Sequence, residues 1–334
     1  MSLDDKIIVS NGEPDSQFLA GTQIQFAWDS VSLTSFLSCQ RRYKYLVLDG
    51  LVPKNPGYAI ALEFGILFHS ALETYHKAKA CDRDHAEAVQ ATACWLVEQP
   101  AFKALPTDEE IDELKAKTDD EDDGITLRNS KIRTRYHLMR SVIWYLEHYI
   151  DDPLHTLIMP SGKPAVELSF RIPLPVQVGG HEMILCGHID RAVEFEGGLW
   201  ASDYKTTKSL TRQFFDMFDL SHQMTGYTVA GNVILEKPIS GVWIDGIALQ
   251  VGGVKLARAP TKRSPGQVKE YFELLTDVGE RAERAYDIGH YPMNTASCYF
   301  CDFKDVCKQA PEFRERYINM WYDRKPGWNP LRNR

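Results

Sequence analysis

The sequence predicts an α/β protein, a mixed β-sheet flanked by helices, with its N- and C-terminal segments pinned together. Two observations carry this. Apolar residues recur at helical spacing through much of the first 151 positions, then alternate with the two-residue period of strands over 165–206. Beyond that the pattern returns to helix, strand and helix, without repeats. The second observation is four cysteines. Cys298, Cys301 and Cys307 form a C-x2-C-x5-C run in a turn-like stretch, while Cys39 stands alone in Leu37-Ser-Cys-Gln-Arg-Arg-Tyr43. Three thiolates so close in sequence complete a four-ligand centre only if a fourth arrives from elsewhere, and Cys39 is the natural candidate. Such a centre suits an iron–sulfur cluster, and four thiolates also suit Zn²⁺.

Taken in order, residues 1–30 read as an irregular N-terminal segment. Ser32 is placed to cap a helix carrying Phe36, Cys39 and Tyr43. Leu62 to Lys79 has helical spacing, which puts His69 and Glu73 on one face as an i, i+4 pair. Residues 85–104 and 129–151 read as helices, within a helical insertion over 80–150. Three strands follow: 165–172, 182–194 and 199–206, the last two joined by a turn at Glu196-Gly-Gly198. Residues 221–236 read as a helix, 241–251 as a strand and 265–287 as a helix leading into the cysteine segment. Residues 311–334 form a basic and aromatic tail.

The net charge of −8 conceals an uneven distribution. Asp108 to Asp123 holds ten acidic residues and two lysines, and the rest of the chain balances at 36 basic and 36 acidic residues. This block reads as a solvated acidic loop over 107–124. Arg128, Lys131, Arg133, Arg135 and Arg140 follow it, either as a solvated helix or as a phosphate track gated by the loop. No apolar run approaches the roughly 20 residues that span a bilayer, so no membrane is expected. The N-terminus lacks a leader pattern, and clustered reduced thiols point to the cytoplasm. Cys81, Cys94 and Cys186 read as ordinary buried thiols.

The strand pair at 182–206 carries the chemistry. Strand side chains alternate, so Asp203 and Lys205 share a face that Tyr204 does not. On the partner strand Cys186, His188 and Asp190 share a face. If Asp190 and Asp203 meet about 4 Å apart, their repulsion is about 4 kcal/mol at an effective dielectric near 20. A divalent cation removes that penalty, and carboxylates suit Mg²⁺ or Mn²⁺. Lys205 beside it can orient a water or neutralise charge developing on a phosphate. A lone Asp-x-Lys is a common surface pair. Specificity comes from its order after Gly187-His-Ile-Asp190, before Gln223-Met-Thr-Gly-Tyr227, and downstream of His69.

With these motifs the chain resembles the PD-(D/E)XK nuclease superfamily over about Ser32 to Cys307. It is most similar to the RecB-type branch with an iron–sulfur cluster, which includes CRISPR-associated RecB-like exonucleases and AddB nuclease domains. The resemblance implies a restriction-endonuclease-like sheet, with residues 31–310 as the nuclease domain. It implies that His69, Asp190, Asp203 and the Tyr204 backbone carbonyl hold Mg²⁺ or Mn²⁺, and that Lys205 assists the nucleophile. Gln223 and Tyr227 would position substrate. Cys39, Cys298, Cys301 and Cys307 would hold a [4Fe–4S] cluster. Glu73 and Glu167 are second-tier candidates for a second metal or its surroundings. The chain departs from the usual pattern at Gln40, where proline is frequent, and in the acidic insertion.

The expected function is a metal-dependent DNA exonuclease acting on single-stranded or unwound ends in recombination, repair or CRISPR-like processing. DNA is the expected partner, and recombination or CRISPR proteins and a second copy of the chain are compatible with it. Two other readings stand beside it: a catalytically silent DNA-binding recombination accessory, and a zinc-stapled structural protein.

Overall fold

The computed structural model describes residues 16–54, 56–117, 133–326 and 329–331. The predicted α/β architecture is observed, with a seven-stranded mixed sheet among the described residues. Its strands are β1 (Ala27–Trp28), β3 (His155–Thr156), β4 (Val166–Val178), β5 (His181–Phe195), β6 (Gly198–Thr207), β7 (Val242–Gln250) and β8 (Gly253–Thr261). A separate antiparallel pair joins β2 (Leu51–Pro53) to β9 (Tyr322–Arg324). The helices are α1 (Ser30–Ser38), α2 (Gln40–Tyr43), α3 (Pro56–Ala80), α4 (His85–Glu98), α5 (Pro100–Ala104) and α6 (Asp108–Lys117). They continue with α7 (Arg135–His148), α8 (Arg212–Asp219), α9 (His222–Ile234), α10 (Pro265–Asp287), α11 (Lys304–Lys308) and α12 (Arg314–Trp321).

β5 is the spine, and its two edges are used differently. β4 runs antiparallel along one edge, pairing Val178 with His181 at one end and Val166 with Arg191 at the other. Leu185 pairs with Ile172 of β4 and also with Trp28 of β1, in parallel. Arg191 pairs with Val166 and also with Ser202 of β6. A strand has only two edges, so β1 and β6 share the second one. Between them β5 leaves a gap over residues 186–190. The sheet then continues parallel from β6 to β7 and antiparallel to β8. The β5–β6 turn is the expected one: Glu196 and Gly197 both have positive φ, 50° and 74°, as a two-residue hairpin turn of matching twist requires.

Two apolar cores clamp the sheet. One gathers Leu185, Met224, Tyr227, Ile244, Leu275 and Val278 from β5, α9, β7 and α10. The other gathers Phe64, Phe68 and Leu72 of α3 and Leu138 and Val142 of α7 against Tyr204 and Ile247. Full burial of such side chains contributes about 1.5–3 kcal/mol each. Gly187 lets β4 and β5 close tightly, because a Cβ there would lie 2.6 Å from Phe170 Cζ. Gly187→Ala should therefore destabilise the fold by about 1–3 kcal/mol in denaturant titration, since the Phe170 ring also packs on Tyr227.

Several expectations are corrected. The N-cap of α1 is Asp29, in a reciprocal capping box with Ser32 at the third helical position, and the cap is not Ser32. The helix expected to run through Cys39 ends there. Cys39 is extended (φ −168°, ψ 115°) and separates α1 from α2. Helix 85–104 is broken before Pro100, which cannot continue the α4 ladder. The acidic stretch is not all loop. Its first part is α6, with Asp108, Glu109 and Glu110 in the first turn, where the helix dipole favours negative charge. The remainder, with Arg128 and Lys131, lies outside the described residues. α8, β1 and β8 were not anticipated. Cys81 and Cys94 are exposed, and of the three spare thiols only Cys186 is buried, where burial lifts its pKa to about 12.

The tail is integrated into the fold. Ile318 and Tyr322 pack with Tyr45, Leu51 and Phe303. Leu331 is buried against Ala27 and Cys186. Truncation after Cys307 removes β9 and all three side chains, so it should lower the melting temperature markedly.

Candidate active site

The gap between β1 and β6 is a cavity of about 180 Å³. It is lined by Asp190 of β5, Asp203 and Lys205 of β6, His69 of α3, and Gln223 and Tyr227 of α9. The fold explains the convergence. The ladder between β5 and β6 ends at Arg191↔Ser202, one step before the two acids would pair. Past that point the strands part, and the Asp190 carboxylate leaves the ladder pattern to accept the Tyr204 N–H at 2.9 Å. The same Oδ2 lies 3.3 Å from His69 Nδ1. β6 continues in register with β7, which fixes Asp203 and Lys205 on the cavity side and Tyr204 on the other.

The two acids are held differently. Burial disfavours the charged form of Asp190, but His69, Lys205 and the Tyr204 N–H outweigh it and hold its pKa below the usual value. Burial raises Asp203, Lys205 opposes the rise, Asp190 reinforces it, and the carboxyl stands at about 6. Its Oδ2 lies 2.6 Å from Lys205 Nζ, an ion contact rather than a well-directed hydrogen bond. Asp203 is thus a buried carboxylate short of positive charge. His69 is also raised: burial lowers it, but the Asp190 carboxylate prevails.

Gln223 Nε2 donates to Tyr227 Oη at 3.0 Å, one helical turn apart on α9. The second-tier residues stand apart. Glu73 is paired with Lys77 and does not line the cavity. Glu167 has a left-handed backbone, φ 51°, uncommon for a non-glycine residue. It lies outside the lining, although its charge reaches Tyr227. The lining also includes Asp29, Ser30 and Val31, which enter the gap directly from β1, and His222 and Tyr271. Only the Asp-x-x-Ser capping signal marked the first of these in the sequence.

Among the described residues, no three His, Cys, Asp or Glu side chains already converge as a metal site. The donor types nevertheless fit a hard divalent cation: two carboxylates and an imidazole on one cavity, with Asp203 undercompensated.

The cysteines do come together as segments. Asn294 donates its main-chain N–H to Cys39 Sγ at 3.3 Å and its side-chain amide to Ser38 O at 2.8 Å. Ser297 Oγ also reaches Ser38 O, at 2.9 Å, and Cys298 Sγ contacts Asn294 O. Burial raises the thiols of Cys301 and Cys307, and Cys39 adds to the rise in both. Arg42 acts against it at Cys301, and Arg41 and Arg314 at Cys307.

A family model of the PD-(D/E)XK nuclease superfamily matches residues 30–308, most of the chain. The chain belongs to the PD-(D/E)XK nuclease superfamily, and nuclease chemistry is the class of reaction this membership indicates. No curated protein matches it. Among solved structures, the one titled "Crystal structure of SSO0001" aligns over 60% of this chain and 76% of its own length, at 10% identity and a TM-score of 0.30. No helix among the described residues is long and apolar enough to cross a membrane.

Proposed function

We propose that the chain is a divalent-metal-dependent DNA exonuclease of the RecB-type branch, acting on single-stranded or unwound ends. The supporting observation is the β1–β6 gap, which brings His69, Asp190, Asp203 and Lys205 onto one cavity. In this reading His69, Asp190, Asp203 and the Tyr204 carbonyl hold Mg²⁺ or Mn²⁺. The bound ion would supply an activated water and Lewis-acid stabilisation of the phosphate. Lys205 Nζ neutralises charge developing on the phosphoryl oxygens and orients the attacking water. The Gln223–Tyr227 hydrogen bond fixes the wall of the cavity against which the substrate strand lies.

Cys39, Cys298, Cys301 and Cys307 hold a [4Fe–4S] cluster in this reading. Arg41, Arg42 and Arg314 around the thiols suit an anionic thiolate centre. α1 links the two sites: its first residues line the cavity and Cys39 follows its last, a span of about 13 Å. A colourless purified protein holding zinc would assign the same ligands to a zinc staple instead.

The activity is tested with end-labelled linear single strands, linear duplex and circular single strands in Mg²⁺ or Mn²⁺. Cleavage of linear strands from an end, with circles untouched, is expected. Equal cutting of circles would make it an endonuclease, and silence on every substrate would favour an accessory role. For the tail, Arg324 is paired with Glu315 at 2.7 Å on the surface, a contact worth little in solution. Double replacement of Arg324 and Lys325 by Ala should weaken single-strand binding and flatten its salt slope by about 0.7 per lost phosphate contact. An unchanged slope with unchanged affinity would leave these residues no part in binding.

A further inference from the structure

His69, Asp190 and the Asp203–Lys205 pair ride on three different elements: α3, β5 and β6. α3 also carries His76, outside the cavity, and β5 and β6 each send a neighbouring side chain to its imidazole. His76 lies two helical turns beyond His69 on α3. Arg191 follows Asp190 on β5, and Tyr204 stands between Asp203 and Lys205 on β6. All three are buried, at 8%, 1% and 2% exposure. Tyr204 Oη lies 3.0 Å from His76 Nε2, and Arg191 Nη1 lies 3.1 Å from the same nitrogen.

An arginine can only donate. Arg191 Nη1 also lies 3.3 Å from Nδ1, so the guanidinium donates to the ring between its two nitrogens, and the Tyr204 hydroxyl, which can donate or accept, bonds Nε2. Burial first, then Arg191 and Arg258, hold the His76 pKa well below its ordinary value, which keeps the ring neutral. Arg191 is anchored in turn by Asp152, with Nη2 3.0 Å from Oδ2. Asp152 also accepts from Arg258, whose Nε reaches Asp245 Oδ2 at 2.6 Å on β7. Tyr204 is wedged edge-on against both His69 and Tyr145. Neither His76 nor Arg191 lines the catalytic cavity.

We infer that His76 is a positioning residue: by bonding Arg191 and Tyr204 at once it ties α3, β5 and β6 together, and so sets the spacing at which His69, Asp190 and Asp203 share one divalent cation. The inference rests on the cation site proposed above. Its physical basis is that ligands spread over three elements keep their geometry only if those elements cannot slide, and groups that orient metal ligands typically govern affinity 10- to 100-fold, on the order of what is expected here.

The test compares wild type with His76→Ala, His76→Gln and Tyr204→Phe. Mn²⁺ binding is read by electron paramagnetic resonance of the free ion and by thermal shift, alongside steady-state cleavage. His76→Ala should weaken Mn²⁺ binding by about 10- to 100-fold and leave the KM for DNA at saturating metal unchanged. His76→Gln, whose amide offers both a donor and an acceptor, should recover most of the affinity. Tyr204→Phe, which deletes a single O–H, should fall between. Wild-type Mn²⁺ affinity in His76→Ala overturns the proposal, as does a Gln variant no better than Ala. If His76→Ala fails to fold, Tyr204→Phe decides: unchanged Mn²⁺ affinity there overturns it. Wild-type protein that binds no Mn²⁺ sinks the cation site itself, whereas equal binding by wild type and variants sinks only the role of His76.

Discussion

Asp203→Asn should reduce DNA cleavage by at least about 10³-fold while the protein remains folded, and Lys205→Ala should do the same. Asp203 is the buried carboxylate whose pKa stands at about 6, raised first by burial and then by Asp190. The Asn isostere keeps its shape and removes the charge that burial disfavours. Its melting temperature should therefore not fall, because a carboxyl raised above its unfolded value costs the folded state stability at neutral pH. Lys205 is partly exposed at the cavity, so its loss should also spare the core. Circular dichroism melts and single-turnover cleavage on one labelled strand separate the two effects. Turnover like that of wild type in either variant would remove these residues from the chemistry. A collapsed melting temperature in Asp203→Asn would show the acid to be structural.

Cys39→Ser should be nearly as damaging as Cys301→Ser, although 262 positions separate the two. In the proposed cluster each loss leaves three thiolates and a labile fourth position. Because a metal centre joining distant segments is coupled to folding, the melting temperature should drop by on the order of 10 °C, with iron and visible colour lost together. Cys81→Ser and Cys94→Ser are the controls, since both side chains are exposed. They should keep iron and stability. The Cys39 variant has a second source of loss, because Asn294 donates to its sulfur and holds the C-terminal segment to Ser38. Iron content separates the two causes. A destabilised Cys39→Ser with full iron would make Cys39 a packing residue and send the search for the fourth ligand elsewhere.

The candidate site was more legible in the sequence than the scaffold that assembles it. The β5–β6 hairpin, its Glu196–Gly197 turn and the common side of Asp203 and Lys205 follow from strand alternation and turn chemistry, which are local. α10 spans the expected 265–287, and α3 ends one residue past the expected Lys79 but begins at Pro56, ahead of the expected Leu62. Boundaries failed where one residue overrides a period: Pro100 stopped α4, and Cys39 turned extended between α1 and α2. β1 is two residues long, too short for any period to show, yet it defines one side of the active cavity.

The sequence by itself determined which residues are candidates for the chemistry. The order of His69, Asp190, Asp203, Lys205, Gln223 and Tyr227, with the four cysteines, is a property of the chain, and so is the alternation that faces two of them together. Only the tertiary structure decided where they meet. Two short strands share one edge of β5, and the carboxylate of Asp190 leaves the ladder at the point where β6 diverges. It also decided that the tail is packed and that His76, a histidine without a motif, holds Arg191 and Tyr204. The physical reason is range. Periodicity and turn propensity act over a few residues, whereas edge sharing, burial and a hydrogen bond between positions 76 and 204 exist only once distant segments are brought together.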